Sequence, residues 1–299
     1  MSDFTPYVCM QTNSLCYKQT SKMKPVGILW HSTGANNPNL KRYVQPTDKS
    51  ANYSKDIKKL GTNTNKNDWN HLQVKAGVNA WIGKFADGTI GTVQAMPWDY
   101  RPWGCGSGSK GSCNDGWIQF EICEDALTDK KYAKAVYDEA IKLTAYLCKK
   151  YSLNPSGTVT VNGVKIPVIT CHNDASKLGF GTSHADINHW FPKVLGKNMA
   201  DVRKDVAAAL KEKAATPTTS SKTDNKKTTS STPAASTFKE YKVKVNVYAL
   251  NVRAGAGTSY KINAVIKQNE VYTITEEKNG WGKLKSGAGW INLQYVKKI

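Results

Sequence analysis

Five histidines are spread over 299 residues, few enough to weigh one at a time. His31 and His172 each close an apolar, β-rich run, Gly27-Ile28-Leu29-Trp30-His31 and Val168-Ile169-Thr170-Cys171-His172. Open α/β sheets gather their sites at the carboxyl ends of strands, so two imidazoles delivered to one sheet edge are the beginning of a metal pocket. Taken singly, a strand-end histidine is more often hydrogen-bonded than metal-bound. After His172 a glycine-rich loop, Leu178-Gly179-Phe180-Gly181-Thr182-Ser183, leads into His184-Ala185-Asp186. In extended backbone, residues two apart point the same way, so His184 and Asp186 are expected to face one pocket. Two imidazoles and a carboxylate make a zinc set that keeps a fourth position open to water. His189 competes as a ligand, whereas His71 lies in a polar stretch and is expected to do nothing chemical. Glu121 stands inside Trp117-Ile118-Gln119-Phe120-Glu121-Ile122-Cys123. A carboxylate is costly to bury unless it is paired or employed; the competing reading puts it on the wet face of the sheet.

The elements that must position these residues are legible as alternating periodicities. Pro25–His31, Val78–Gly83, Ile90–Gln94, Trp117–Cys123 and Ile166–His172 read as strands bounded by Gly, Asn and Pro. Lys131–Tyr151 reads as an amphipathic helix, with Ala135, Ala140, Leu143, Leu147 and Tyr151 near helical spacing, and Met199–Lys213 as a closing helix. A mixed sheet flanked by helices, an α/β (α+β) arrangement, is the expected architecture for residues 1–213. Residues 214–237 are Thr, Ser, Lys, Pro and Ala with scarcely a large side chain. They bury too little to offset their ordering entropy and are expected to be a flexible linker. Residues 238–299 are short strands punctuated by glycines, which suits a small all-β barrel.

A composition of 39% hydrophobic and 22% charged residues excludes a disordered chain. Lysine and arginine number 42 against 23 acidic residues, for a net charge of +19, which favours an anionic polymer as partner. The lysines are dispersed rather than gathered on one arm, which argues against nucleic acid. No run of about 18 apolar residues occurs, so membrane insertion is not expected. The first residues lack a basic segment followed by an apolar one, so synthesis in the cytoplasm without a signal peptide is expected. Seven cysteines in a reducing compartment do not suggest a disulfide framework. Cys123, Cys148 and Cys171 read as buried thiols.

Lys24-Pro25-Val26-Gly27-Ile28-Leu29-Trp30-His31-Ser32-Thr33-Gly34, Gln119-Phe120-Glu121-Ile122-Cys123-Glu124, Cys171-His172-Asn173-Asp174 and Ser183-His184-Ala185-Asp186 resemble, in order, the signatures of the type-2 N-acetylmuramoyl-L-alanine amidases. That family shares its fold with peptidoglycan recognition proteins. The resemblance implies a zinc ion held by His31, His172 and Asp186, with Glu121 as the catalytic glutamate and His184 as the basic group facing the scissile carbonyl. Many relatives carry Lys-x-Cys or Lys-x-Asp where this chain has His184-Ala185-Asp186, and many carry Trp-His where it has Trp103-Gly104. Residues 240–299 resemble bacterial SH3 domains through Leu250-Asn251-Val252-Arg253-Ala254-Gly255, Gly280-Trp281-Gly282-Lys283-Leu284 and Gly289-Trp290-Ile291-Asn292. Together these resemblances imply a phage endolysin-type hydrolase that acts on the peptidoglycan of a Gram-positive wall through both domains. Release would come through a separate pore-forming protein. A non-catalytic peptidoglycan-binding protein of the same fold, and a host autolysin with the same chemistry, are the alternatives.

Overall fold

The computed structural model describes residues 4–212, 238, 240–246, 249–257, 260–278 and 280–299. The expected linker, 214–237, lies outside the described residues. The chain forms two compact units, Met1–Thr219 and Ser220–Ile299.

The first unit runs β1 (Tyr7–Val8), α1 (Leu15–Gln19), β2 (Gly27–Asn36), α2 (Tyr53–Leu60), β3 (Ala80–Lys84), β4 (Ile90–Gln94), β5 (Trp117–Glu124), α3 (Lys130–Tyr151), β6 (Thr158–Val161), β7 (Val164–Pro167), β8 (Ile169–Cys171), α4 (His172–Lys177), α5 (Phe191–Leu195) and α6 (Met199–Glu212). Its main sheet is mixed, in the order β1-β4-β3-β5-β2-β8. Strand β2 pairs in parallel with β5 on one side and β8 on the other, while β3 and β4 are antiparallel. A strand flanked on both sides and covered on both faces reads as a continuous apolar run rather than an alternation, which is why Gly27 to Trp30 carries no polar side chain.

The two faces of these strands do different work. Ile28 and Trp30 of β2, Ile118, Phe120 and Ile122 of β5, and Ala80 and Ile82 of β3 form one core with α3 and α6. Helix α3 begins where the Asp129 side chain accepts from the backbone N–H groups of Lys131 and Tyr132, the usual satisfaction of orphan donors at a helix start. Inside this core the Trp30 indole donates to Thr144 Oγ1 at 3.0 Å, tying β2 to α3. The opposite face carries Leu29 and Trp117, packed with Cys105, Cys113 and Phe180, and Trp81, packed with Tyr43. His31, Gln119 and Glu121 belong to this second face, since residues two apart on a strand share a side.

The expected strands and the two long helices are present, with three differences. Strand β2 continues past His31 to Asn36 after a register shift beyond Ser32, so His31 closes the regularly paired stretch rather than the strand itself. The run expected from Ile166 to His172 is divided into β7 and β8, because Val164–Pro167 turns back on β6 through Asn162-Gly163, both at positive φ, a hairpin signal. The short elements β1, α1 and α2 were not expected; they are too brief to show a period. All seven cysteines are free and buried.

The second unit is all β: β9 (Tyr241–Val245), β10 (Ala249–Arg253), β11 (Ile262–Lys267), β12 (Val271–Lys278), β13 (Trp281–Leu284), β14 (Trp290–Asn292) and β15 (Val296–Lys298). They form one sheet in the order β11-β10-β14-β13-β12-β9-β15, its paired strands antiparallel. Val243, Val245, Leu250, Val252, Ile266, Ile274, Leu284 and Ile291 fill its core, and Trp281 is buried as well. Among the described residues no helix is long and apolar enough to cross a membrane.

Thr144→Val keeps the shape of the core but leaves the buried Trp30 N–H without an acceptor. We expect it to lower stability by about 1–3 kcal/mol, read as a lower urea midpoint at unchanged slope. An unchanged midpoint would show that this hydrogen bond does not hold β2 to α3.

Candidate metal centre

Three neighbouring strands deliver the site. His31 of β2 is the direct pairing partner of Glu121 of β5, and on the other side Trp30 pairs with Cys171 of β8. His172 follows as the first residue of α4. Asp186 arrives from the loop beyond α4 and opens a 3-10 turn, Asp186–His189, with φ at 43°. Such a left-handed conformation costs a non-glycine residue about 1–2 kcal/mol, and here it turns the carboxylate inward. His31, His172 and Asp186 are all buried, and one ligand atom from each lies within 4.8 Å of the others. His31 Nδ1 is 3.6 Å from Asp186 Oδ1, and His172 Nδ1 is 3.2 Å from Asp186 Oδ2. The two imidazoles stand edge to face with centroids 5.0 Å apart.

The donor set suits a cation. Asp186 Oδ2 is buried and receives no hydrogen bond, although an imidazole nitrogen lies beside it. The far nitrogens of both rings are engaged elsewhere: His31 Nε2 contacts Gln119 Oε1 at 2.8 Å, and His172 Nε2 contacts Thr182 Oγ1 at 3.3 Å. His172 Nδ1 therefore faces the orphan carboxylate oxygen, and His31 Nδ1 faces the other oxygen of the same carboxylate. Two nitrogens and one oxygen in this arrangement fit a divalent metal with a position left open. Among the described residues this is the one group of three or more His, Cys, Asp or Glu side chains placed to hold a metal.

Electrostatics at the site follow from burial opposed by neighbours. Burial disfavours a charged His31, yet the hydrogen bond to Asp186 and the nearby Glu121 carboxylate outweigh it and raise the ring to about 9. Burial and the His31 charge hold His172 down at about 4. Burial acts to raise Asp186, but its bonds to His31 prevail and hold it below the usual carboxylate range. Glu121 is pushed up to about 7 by burial, with His31 pulling the other way and Asp186 and Glu124 adding to the rise. Its Oε2 is buried and unpartnered.

His184 and Asp186 do not lie on extended backbone. Ala185 is helical and Asp186 left-handed, so the two side chains part: Asp186 goes inward and His184 remains exposed, its ring stacked on His172 with centroids 4.3 Å apart. His189 does not join the trio; its Nε2 lies 3.0 Å from the buried Glu124 Oε1. His71 sits in a separate cluster with Asp68 and Asp48. Gln119 and Asn114, which contact each other at 2.9 Å behind His31, had no role in the sequence reading. The signal was present: Gln119 precedes Glu121 by two residues, an uncharged polar side chain on the same face of an apolar strand. Gly104 lies against the His31–Gln119 contact; a Cβ there would be 2.2 Å from Gln119 Oε1.

A mixed sheet thus brings two imidazoles and a carboxylate, placed to hold a metal, to one face beside the half-buried Glu121. Residues 21–189 match the family of N-acetylmuramoyl-L-alanine amidases and residues 249–297 match the bacterial SH3 domain. The chain belongs to the N-acetylmuramoyl-L-alanine amidase family, and it is an enzyme of peptidoglycan with an SH3-type second unit. Its fold is similar to that of the Staphylococcus aureus hydrolase AmiA, solved in complex with its ligand, at 17% identity and a TM-score of 0.45, covering 71% of this chain and 86% of that one. It is also similar to the PlyG catalytic domain, at 16% identity and a TM-score of 0.44, covering 73% and 100%. PlyL matches at 15% identity and a TM-score of 0.41, covering 68% and 97%. No curated protein matches the chain.

The raised Glu121 carries a stability consequence. Its folded pKa of about 7 lies above the ordinary 4.5, so the folded state keeps a proton that the unfolded chain releases. Stability contributed by the protonated form is whole below about 4.5, falls as pH rises to about 7, and stays reduced above. Glu121→Gln removes that loss. In chelator-treated protein we expect it to raise stability at pH 8 over the unaltered chain by about 1–3 kcal/mol, and to change it little at pH 4. Equal effects at both pH values would show that the carboxyl is not strained by burial.

Proposed function

We propose that the first unit binds one zinc ion through His31, His172 and Asp186 and hydrolyses the amide between the lactyl group of N-acetylmuramic acid and L-alanine of the stem peptide. The observation that carries this reading is the buried trio with its orphan Asp186 oxygen, one strand away from a glutamate near neutral pKa. Zinc held there would supply a water whose pKa is lowered to about 7 and would polarise the carbonyl. Glu121 takes a proton at its carboxylate and later delivers one to the leaving amine, a double role for which a pKa near 7 is suited. His184, exposed above His172, is placed to donate a hydrogen bond to the developing oxyanion. A buried ligand set holds the metal, and the neighbouring histidine meets the substrate.

The second unit, in this reading, holds the enzyme on a Gram-positive wall. Residues 214–237 act as a linker, so that the two units cooperate through effective concentration. The +19 net charge supports an anionic wall polymer. The biological setting we infer is phage-type lysis, with a separate pore-forming protein admitting the enzyme to the wall.

Mass spectrometry of fragments released from purified wall identifies the bond; free L-alanine amino termini are expected, and new reducing sugar ends in their place would overturn the assignment. His172→Ala is expected to lose both zinc and activity, since three protein ligands leave no redundancy. Glu121→Ala should keep its zinc and lose activity by roughly 10²- to 10⁴-fold; loss of the metal would make Glu121 a ligand or a structural residue. A chain ending after Glu212 should hydrolyse soluble muropeptide at the full-length rate while losing activity on intact walls. An equal loss on both substrates would refute independent units.

A further inference from the structure

The hydrogen bonds behind His31 run in a single direction. Asn114 is buried just ahead of β5, and its Oδ1 receives the backbone N–H of Gly104 at 3.2 Å and of Cys105 at 3.1 Å. Backbone N–H groups only donate, so this atom of the amide is its oxygen. The Gln119 atom 2.9 Å from it is then the NH2 group. That leaves Gln119 Oε1, which can only accept, 2.8 Å from His31 Nε2. The ring nitrogen there must carry a proton. A neutral His31 therefore has its lone pair on Nδ1, the atom facing Asp186.

Gln119 is fully buried, and the space it occupies exists because residue 104 has no side chain. A Cβ on Gly104 would lie 2.2 Å from Gln119 Oε1 and 3.2 Å from His31 Nε2. The same stretch also reaches the second imidazole: the Cys105 carbonyl accepts from Thr182 N at 2.9 Å, and Thr182 Oγ1 lies 3.3 Å from His172 Nε2.

We propose that Gln119 and Asn114 are positioning residues that hold His31 in its Nε2-protonated tautomer and so aim Nδ1 at the metal, with Gly104 kept free of a side chain to admit them. The proposal rests on the metal reading above. Neither amide touches substrate; each acts through His31. An imidazole free to adopt the other tautomer presents N–H to the metal for part of its population, and the affinity falls accordingly.

The test measures zinc affinity of the full chain by competition with a chromophoric chelator, alongside the denaturant midpoint of the zinc-free protein. Gln119→Leu is expected to weaken zinc binding by about 10- to 100-fold, and its hydrolysis of soluble muropeptide should return when zinc exceeds the new Kd. Gly104→Ala, which displaces Oε1 while leaving Gln119 in the chain, should weaken binding in the same direction. Asn114→Ala, which removes the acceptor that orients the Gln119 amide, should also weaken binding. Native-like affinity in both Gln119→Leu and Gly104→Ala overturns the proposal, and so does native-like affinity in Asn114→Ala. If Gln119→Leu or Asn114→Ala shows no cooperative unfolding, Gly104→Ala decides the matter. Failure of the unaltered chain itself to bind zinc would overturn the metal reading together with this one, whereas tight zinc in every variant overturns this one alone.

Discussion

The in-register parallel pairing of β5, β2 and β8 is the constraint on which the site depends. Because paired residues in a parallel ladder share a face, the single register that sets His31 opposite Glu121 also sets Trp30 opposite Phe120 on the other side. A slip of one residue would exchange the faces. His31 would enter the core of α3, and the Trp30 indole would stand where the metal ligands meet. The apolar contacts of Ile28, Trp30, Ile118 and Phe120 with α3 and α6 therefore define which side of the sheet does chemistry. Packing on one face is the positional control for the other.

That control is needed because the chemical face is electrostatically unfavourable by itself. Glu121 Oε2, Asp186 Oδ2 and Ser32 Oγ are buried without hydrogen-bond partners, and native structures tolerate few such atoms. Asp186 and Glu124 lie near enough to oppose the ionisation of Glu121, with His31 as the counterweight. Buried charges of this kind cost several kcal/mol each unless paired. A divalent cation held between the carboxylate and the imidazoles, as proposed, would remove much of that cost and would link metal binding to the folding of this face.

Much of this was legible in the sequence, for reasons that can be named. His31 and His172 stood at the ends of apolar runs, and a buried parallel strand announces itself by such a run. Glu121 was conspicuous as a charge inside one. Gln119, two residues before Glu121 on the same face, gave a weaker signal because an uncharged amide is cheaper to bury than a carboxylate, and its partner Asn114 lies in a loop whose path no local pattern gives. The backbone reversal at Asp186 was likewise invisible, since αL is rare outside glycine and asparagine and nothing in Ser183-His184-Ala185-Asp186 demands it. The hairpin β6–β7 was readable through Val161-Asn162-Gly163-Val164, but the strength of the following apolar run drew Ile166 and Pro167 into the wrong strand.

The reversal at Asp186 also accounts for how one short segment would carry the two duties proposed for it. A metal ligand must be desolvated and fixed, whereas a group that meets an incoming polymer must stay accessible. On extended backbone, residues 184 and 186 would point the same way and share one environment. With Ala185 helical and Asp186 at positive φ, the carboxylate is buried and the imidazole of His184 lies exposed across the ring of His172. The strain at Asp186 is thus held by the contacts its carboxylate makes with His31, His172 and the Ser32 N–H. The contacts of Asp186 stabilise the turn, and the turn keeps His184 at the surface, where, in the proposed reaction, a substrate too large to enter a closed pocket would reach it.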